Sequence, residues 1–109
     1  MKTAAYITAS YEDVKKLLPA ETDGMEIDVF VLPQEDARDF TERDGNISIH
    51  RYSTTAYIEE NNELRFQEIM RDFVAICPSI CYINLQNEFG IQTYKLCKHY
   101  GIQVEFINK

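Results

Sequence analysis

Glycine is scarce in this chain. Its four glycines stand at 24, 45, 90 and 101, too far apart for the glycine-rich loop that wraps a phosphate. Walker-type and dinucleotide-type nucleotide sites are excluded on that ground. There is no Gly-x-Ser-x-Gly elbow and no His-Glu-x-x-His pair, so the signatures of α/β-hydrolases and zinc proteases are missing as well. No apolar run approaches the roughly 18–20 residues that span a bilayer. The opening MKTAAYITASYEDV lacks the uninterrupted apolar stretch of a secretion signal. Neither a membrane partner nor export is expected.

Cysteine is few and odd in number: Cys77, Cys81 and Cys97. That pattern fits a reducing compartment better than a disulfide-stapled secreted domain, so a cytoplasmic location is expected. With His99 the three give the spacing C-x3-C-x15-C-x-H, which superficially resembles a four-ligand metal site. Cys97 and His99, two residues apart on an expected helix, point to nearly opposite sides. The expectation is three core thiols and an exposed His99, with no metal and no cofactor. His50 and His99 are the two imidazoles that a thiol nucleophile would need as a base, and no spacing pairs either with a cysteine. These absences lean away from an enzyme.

Basic residues are also outnumbered: 11 Lys and Arg face 18 Asp and Glu, a formal net charge of −7 over 109 residues. Only Lys15 and Lys16 are adjacent. Neutralising phosphates takes clustered cations, so no direct contact with nucleic acid is expected.

What is present describes an ordinary folded protein. The chain is 45% hydrophobic and 27% charged, and its length suits one domain, 1–109. Residues 3–9 read as a short buried strand. Ser10 follows as a helix N-cap, with Glu12 and Asp13 at the positive end of the helix dipole and Pro19 as the stop. Residues 25–32 alternate as a strand does. The acidic QEDARDFTERDG after Pro33 reads as a short helix or helical loop ending at Gly45. Residues 47–58 read as a strand by their β-branched and aromatic content. Phe66, Ile69, Phe73 and Ile76, widened by Met70 and Cys77, mark an amphipathic helix over 62–77 that Pro78 ends. Residues 79–85 are apolar on both faces, like a central strand. A helix follows from 87 to 100 with Gly101 as its C-terminal cap, and 102–107 closes as a strand. The expected fold is α/β, a five-stranded mixed sheet with two main helices plus a short N-terminal helix, in the order β-α-β-(α)-β-α-β-α-β. The last three elements are expected to form a crossover between parallel strands.

Charge is distributed unevenly. Residues 21–44 hold nine acids against Arg38 and Arg43 and carry the whole net charge of −7. An acidic loop serves solubility, but it also makes a negative face that speeds encounter with a basic partner. The leading expectation is therefore a non-enzymatic acidic binding protein. It would be a stoichiometric inhibitor, of toxin-immunity or anti-defence type, that docks a basic protein such as a nuclease or toxin. Asp36, Asp39, Glu42 and Asp44 would supply the charge and Phe40 the apolar anchor. The alternative is a small-ligand, nucleotide-binding or enzymatic domain. If the strands at 3–9 and 79–85 are neighbours, Ser10, Asn84 and Asn87 line a crevice beyond their carboxyl ends, with Arg51 close by. A subunit of a larger assembly is a third possibility.

Overall fold

The computed structural model describes residues 2–16, 18, 25–33, 40–52 and 62–107. Its elements are β1 (Lys2–Thr8), α1 (Tyr11–Lys15), β2 (Met25–Val31), β3 (Phe40–Asp44), β4 (Ile47–Arg51), α2 (Asn62–Ile76), β5 (Ile80–Asn84), α3 (Glu88–Tyr100) and β6 (Gln103–Phe106). The strands form one sheet in the order β3-β4-β2-β1-β5-β6. β3 runs antiparallel to β4, and every other neighbouring pair is parallel.

β1 is central because its sequence is apolar on both faces. Ala5 and Ile7 join Cys81, Ile83, Phe30, Ile69, Phe73 and Cys97 in a core built under α2 and α3. Ala4 and Tyr6 join Ile27, Val29, Ile49, Tyr11 and Val14 in a second core on the opposite face, under α1. The result is a three-layer α/β domain with a mixed sheet, helices on both sides and a strand that alternates between two cores.

Several sequence expectations hold with small shifts. α2 presents Ile69, Met70 and Phe73 inward as its spacing predicts. Asn87 caps α3, its side-chain oxygen accepting from the Gly90 N–H at 3.1 Å. Gly101, at φ +72°, closes the other end, and the Ile102 N–H bonds the Cys97 carbonyl at 2.8 Å. α3 and β6 do return the chain to a strand parallel to β5.

Others are corrected. Among the described residues the sheet has six strands, because 40–44 is a strand and not the helical end of the acidic stretch; residues 34–39 lie outside the described residues. The density of acid suggests a helix start, but the open edge of β4 offers unpaired backbone groups, and Phe40-Thr41-Glu42 supplies an aromatic and a β-branched residue to pair with it. Gly45, at φ +63°, completes the two-residue turn that sets Asp44 opposite Ile47. α1 is formed over Tyr11–Lys15, with Lys16 still in helical backbone as its C-cap; residues 17, 19 and 20, and with them the expected stop at Pro19, lie outside the described residues. Of the strand expected at 47–58, the part up to Arg51 is formed; residues 53–60 lie outside the described residues.

Cys77 is also corrected. It is exposed rather than part of the core stripe. It ends α2 in left-handed backbone at φ +53°, its N–H bonding the Val74 carbonyl at 3.0 Å. Pro78 explains the break, because its ring disfavours helical backbone at the residue before it.

Gly90 shows how closely α3 seats on β5. A Cβ built there would lie 2.7 Å from the Leu85 carbonyl oxygen and 3.2 Å from the Ile83 side chain. The nearest obstacle is backbone, which cannot swing aside. Gly90→Ala is therefore expected to destabilise the fold by about 1–3 kcal/mol, despite alanine's better helix propensity. Urea unfolding of the variant checks this; unchanged or raised stability would contradict the close seating.

Candidate functional site

The sheet order reverses at β1. From β1 the chain steps one way to β2 and then β4, and afterwards returns to the other side of β1 for β5 and β6. In open α/β sheets the crevice beyond the strand carboxyl ends at such a reversal is where ligands characteristically bind. Here the reversal lies at the ends of β1 and β5, where Thr8 and Asn84 are direct partners in the register.

The site is built around one hydroxyl. Thr8 is fully buried. Its Oγ1 donates to the Ser10 carbonyl at 3.0 Å, accepts from the Ser10 N–H at 3.3 Å and accepts from the Asn84 Nδ2 at 3.4 Å. One donor and two acceptor positions use that hydroxyl in full. It locks the turn after β1 onto the end of β5. Ser10 is extended, at φ −150° and ψ 134°, and its side chain forms no cap on α1. Asn87 stands at the start of α3, with its side-chain oxygen turned to Gly90. The structure thus brings Ser10, Asn84 and Asn87 to the same end of two neighbouring strands. Carboxylates surround them: Glu12 and Asp13 occupy the first turn of α1, and Glu88 the first turn of α3, where Gln92 donates to it at 3.2 Å.

Arg51 is not brought there. It ends β4, with β2 interposed before β1, about 10 Å away in strand spacings. Its guanidinium pairs with Glu42 at 3.2 Å.

The residues expected to form an acidic docking face are divided. Asp36 and Asp39 lie outside the described residues. Phe40, Glu42 and Asp44 follow one another on one face of the edge strand β3, and Phe40 is 49% exposed. The described acids of the block are engaged within the fold. Glu42 meets Arg51, Glu26 meets Arg43 at 3.3 Å, and Asp28 meets His50 at 2.8 Å. Burial first, and then the Asp44 carboxylate beside it, push the Tyr11 phenol up.

Asp28 and His50 belong to an arrangement that the sequence reading missed. His50 Nε2 lies 2.8 Å from Asp28 Oδ1, and His50 Nδ1 lies 3.2 Å from Thr41 Oγ1. The imidazole stacks on Phe30, ring centres 4.5 Å apart. Beside it Arg43 donates to Ser48 Oγ and to the Gly45 carbonyl, both at 3.0 Å. The available signal was a pair of polar residues, Asp28 and His50, each placed two positions from an apolar neighbour on the same strand face. Strand order was needed to see that β2 and β4 are adjacent.

The cysteines and His99 do not assemble. Cys77 and His99 are exposed, while Cys81 and Cys97 are buried between β5 and α3. The hydrogen bond that Cys81 gives Cys97, and then burial, push the Cys81 thiol up. Among the described residues no group of three or more His, Cys, Asp or Glu is arranged to hold a metal ion. No helix among them is long and apolar enough to cross a membrane. Comparison with family models, with curated proteins and with solved structures gives no match to this chain.

One rung below Thr8 and Asn84, Tyr6 and Tyr82 stack with ring centres 4.9 Å apart. Burial, and secondarily the neighbouring Tyr82, push the Tyr6 phenol up to about 12. In the unfolded chain it would ionise near 10. The resulting stability is fully present below pH 10 and is lost as pH rises toward 12. Relative to Tyr6→Phe, the wild type should therefore lose on the order of 2 kcal/mol over that window. Denaturant titrations at pH 9.5 and 11.5 check this. Parallel losses in the two proteins would show that Tyr6 is not the buried phenol of this rung.

Proposed function

We propose that this chain is a small-ligand-binding α/β domain whose ligand sits beyond the carboxyl ends of β1 and β5, contacted by Ser10, Asn84 and Asn87. The observation that carries the reading is the reversal of strand order between those two strands, with Thr8 and Asn84 in register. The step from that reversal to a ligand is an analogy with other open α/β sheets. Local chemistry narrows the ligand. Helix N-termini favour anions, but Glu12, Asp13 and Glu88 already occupy the first turns of α1 and α3. A further anion would meet carboxylates there. The class favoured is a polar ligand that is neutral or cationic, held by amide and hydroxyl groups.

A thermal-shift screen tests this with two sets of compounds: nucleoside phosphates and inorganic phosphate in one; nucleosides, sugars, amino acids and polyamines in the other. A ligand of the folded state present at 100 times its Kd stabilises by about 2.7 kcal/mol. The expected result is a rise in melting temperature with a member of the second set, reduced in Ser10→Ala, a variant that removes no cap. No shift with any compound, or shifts with phosphates alone, would contradict the reading.

A second reading, the acidic binding protein, is favoured by the edge position of β3 and by the half-exposed Phe40 on it. Edge strands accept partners through unpaired backbone groups. The partner would be a basic protein, and the chain its stoichiometric inhibitor. The triple variant Asp36→Lys, Asp39→Lys and Glu42→Lys should then lose a partner that the wild type captures at low salt and releases at high salt. Equal capture by both proteins across the salt series would count against it.

A further inference from the structure

We propose that Thr41 is an acyl acceptor, activated by His50 and Asp28 acting as base and positioning carboxylate, and that its substrates are activated carboxylic esters or thioesters. Three strands supply the three groups: β3 gives Thr41, β4 gives His50 and β2 gives Asp28. The site is separate from the β1–β5 crevice and does not depend on it.

The protonation pattern follows from the partners. A carboxylate only accepts hydrogen bonds, so in the neutral imidazole the 2.8 Å contact with Asp28 Oδ1 selects the tautomer with its proton on Nε2. Nδ1 is then the bare nitrogen, and at 3.2 Å it accepts from the Thr41 hydroxyl. This is the order hydroxyl, imidazole, carboxylate that activates a weak nucleophile, with the two ring nitrogens exchanged relative to the commonest triad. Two features make the ring a fixed base rather than a mobile side chain. It lies flat on Phe30, with 17° between the ring planes. Its side chain is 18% exposed and that of Asp28 13%. Thr41, by contrast, is exposed on the outermost strand, so a substrate approaches the hydroxyl from the open edge.

The step balances without a co-reactant. The Thr41 oxygen attacks the acyl carbon, the bond to the leaving oxygen or sulfur breaks, and the acyl group stays on Thr41 Oγ1. The hydroxyl proton passes to His50 Nδ1 and from there to the leaving group. Asp28 stabilises the imidazolium in between. Water attacking the acyl-threonine by the same route in reverse regenerates the hydroxyl.

The test uses p-nitrophenyl acetate with the full-length protein. Wild type should release about one equivalent of p-nitrophenolate in a fast phase, and the acetyl group should be found on the peptide 39–43, in which Thr41 is the one hydroxyl. Thr41→Val should lose that phase, and Thr41→Ser should retain it. Asp28→Asn should slow it ten- to a hundredfold while the acetyl group still appears on residue 41, a result that loss of a purely structural contact would not give. Circular dichroism and melting temperature confirm that each variant is folded. The proposal is overturned if folded Thr41→Val releases p-nitrophenolate as fast as wild type, or if acetylation is confined to lysines and Cys77.

Discussion

The rest of the fold depends on the parallel pairing of β1 with β5. Without it β1 would be an edge strand, and Ala5 and Ile7 would have no layer to face. With it β1 is flanked by β2 over seven residues and by β5 over five, and each of its faces feeds a separate core. The same pairing forces the chain to cross to the opposite side of β1 after α2. That crossing puts α2 and α3 on one face and α1 on the other, as short unknotted connections require. It also sets Thr8 beside Asn84, so one structural decision creates both the layered core and the candidate crevice.

Local element type was largely legible in the sequence because each main element carries its own signal. The stripe Phe66, Ile69, Met70, Phe73 has helical period, and Asn87 and Gly101 bracket α3 with cap chemistry. The misses share a cause, which is that a nonlocal partner outweighed the local signal. Acid density around Phe40–Asp44 suggested a helix, yet the open edge of β4 recruited those residues as a strand. Cys77 fitted the helical period, yet Pro78 took it out of the helix and into solvent.

The sites divide the same way. Ser10, Asn84 and Asn87 could be named from sequence, because strand-to-helix junctions are local features and one condition, adjacency of two strands, was enough to join them. Arg51 could not be placed by such reasoning, since its distance from that junction is set by strand order. Asp28, His50 and Thr41 are separated by 22 and 9 residues, and no spacing rule links them; register across three strands does. The net charge of −7 looked like a free surface. Of the nine acids in residues 21–44, Glu26, Asp28 and Glu42 are partnered within the fold, by Arg43, His50 and Arg51. The exposed pairs Glu26–Arg43 and Glu42–Arg51 contribute about 0–1 kcal/mol each, so they arrange the β3 edge more than they stabilise it.

Both the layered core and the crevice require that β5, and not β6, lies beside β1. Interstrand nuclear Overhauser contacts in solution test it most directly. Contacts are expected to link Ala4–Thr8 with Ile80–Asn84 in parallel register, and a second series to link Ile80–Ile83 with Gln103–Phe106. Contacts linking Lys2–Thr8 directly with Gln103–Phe106 would contradict it, and would remove the reversal of strand order on which the crevice rests.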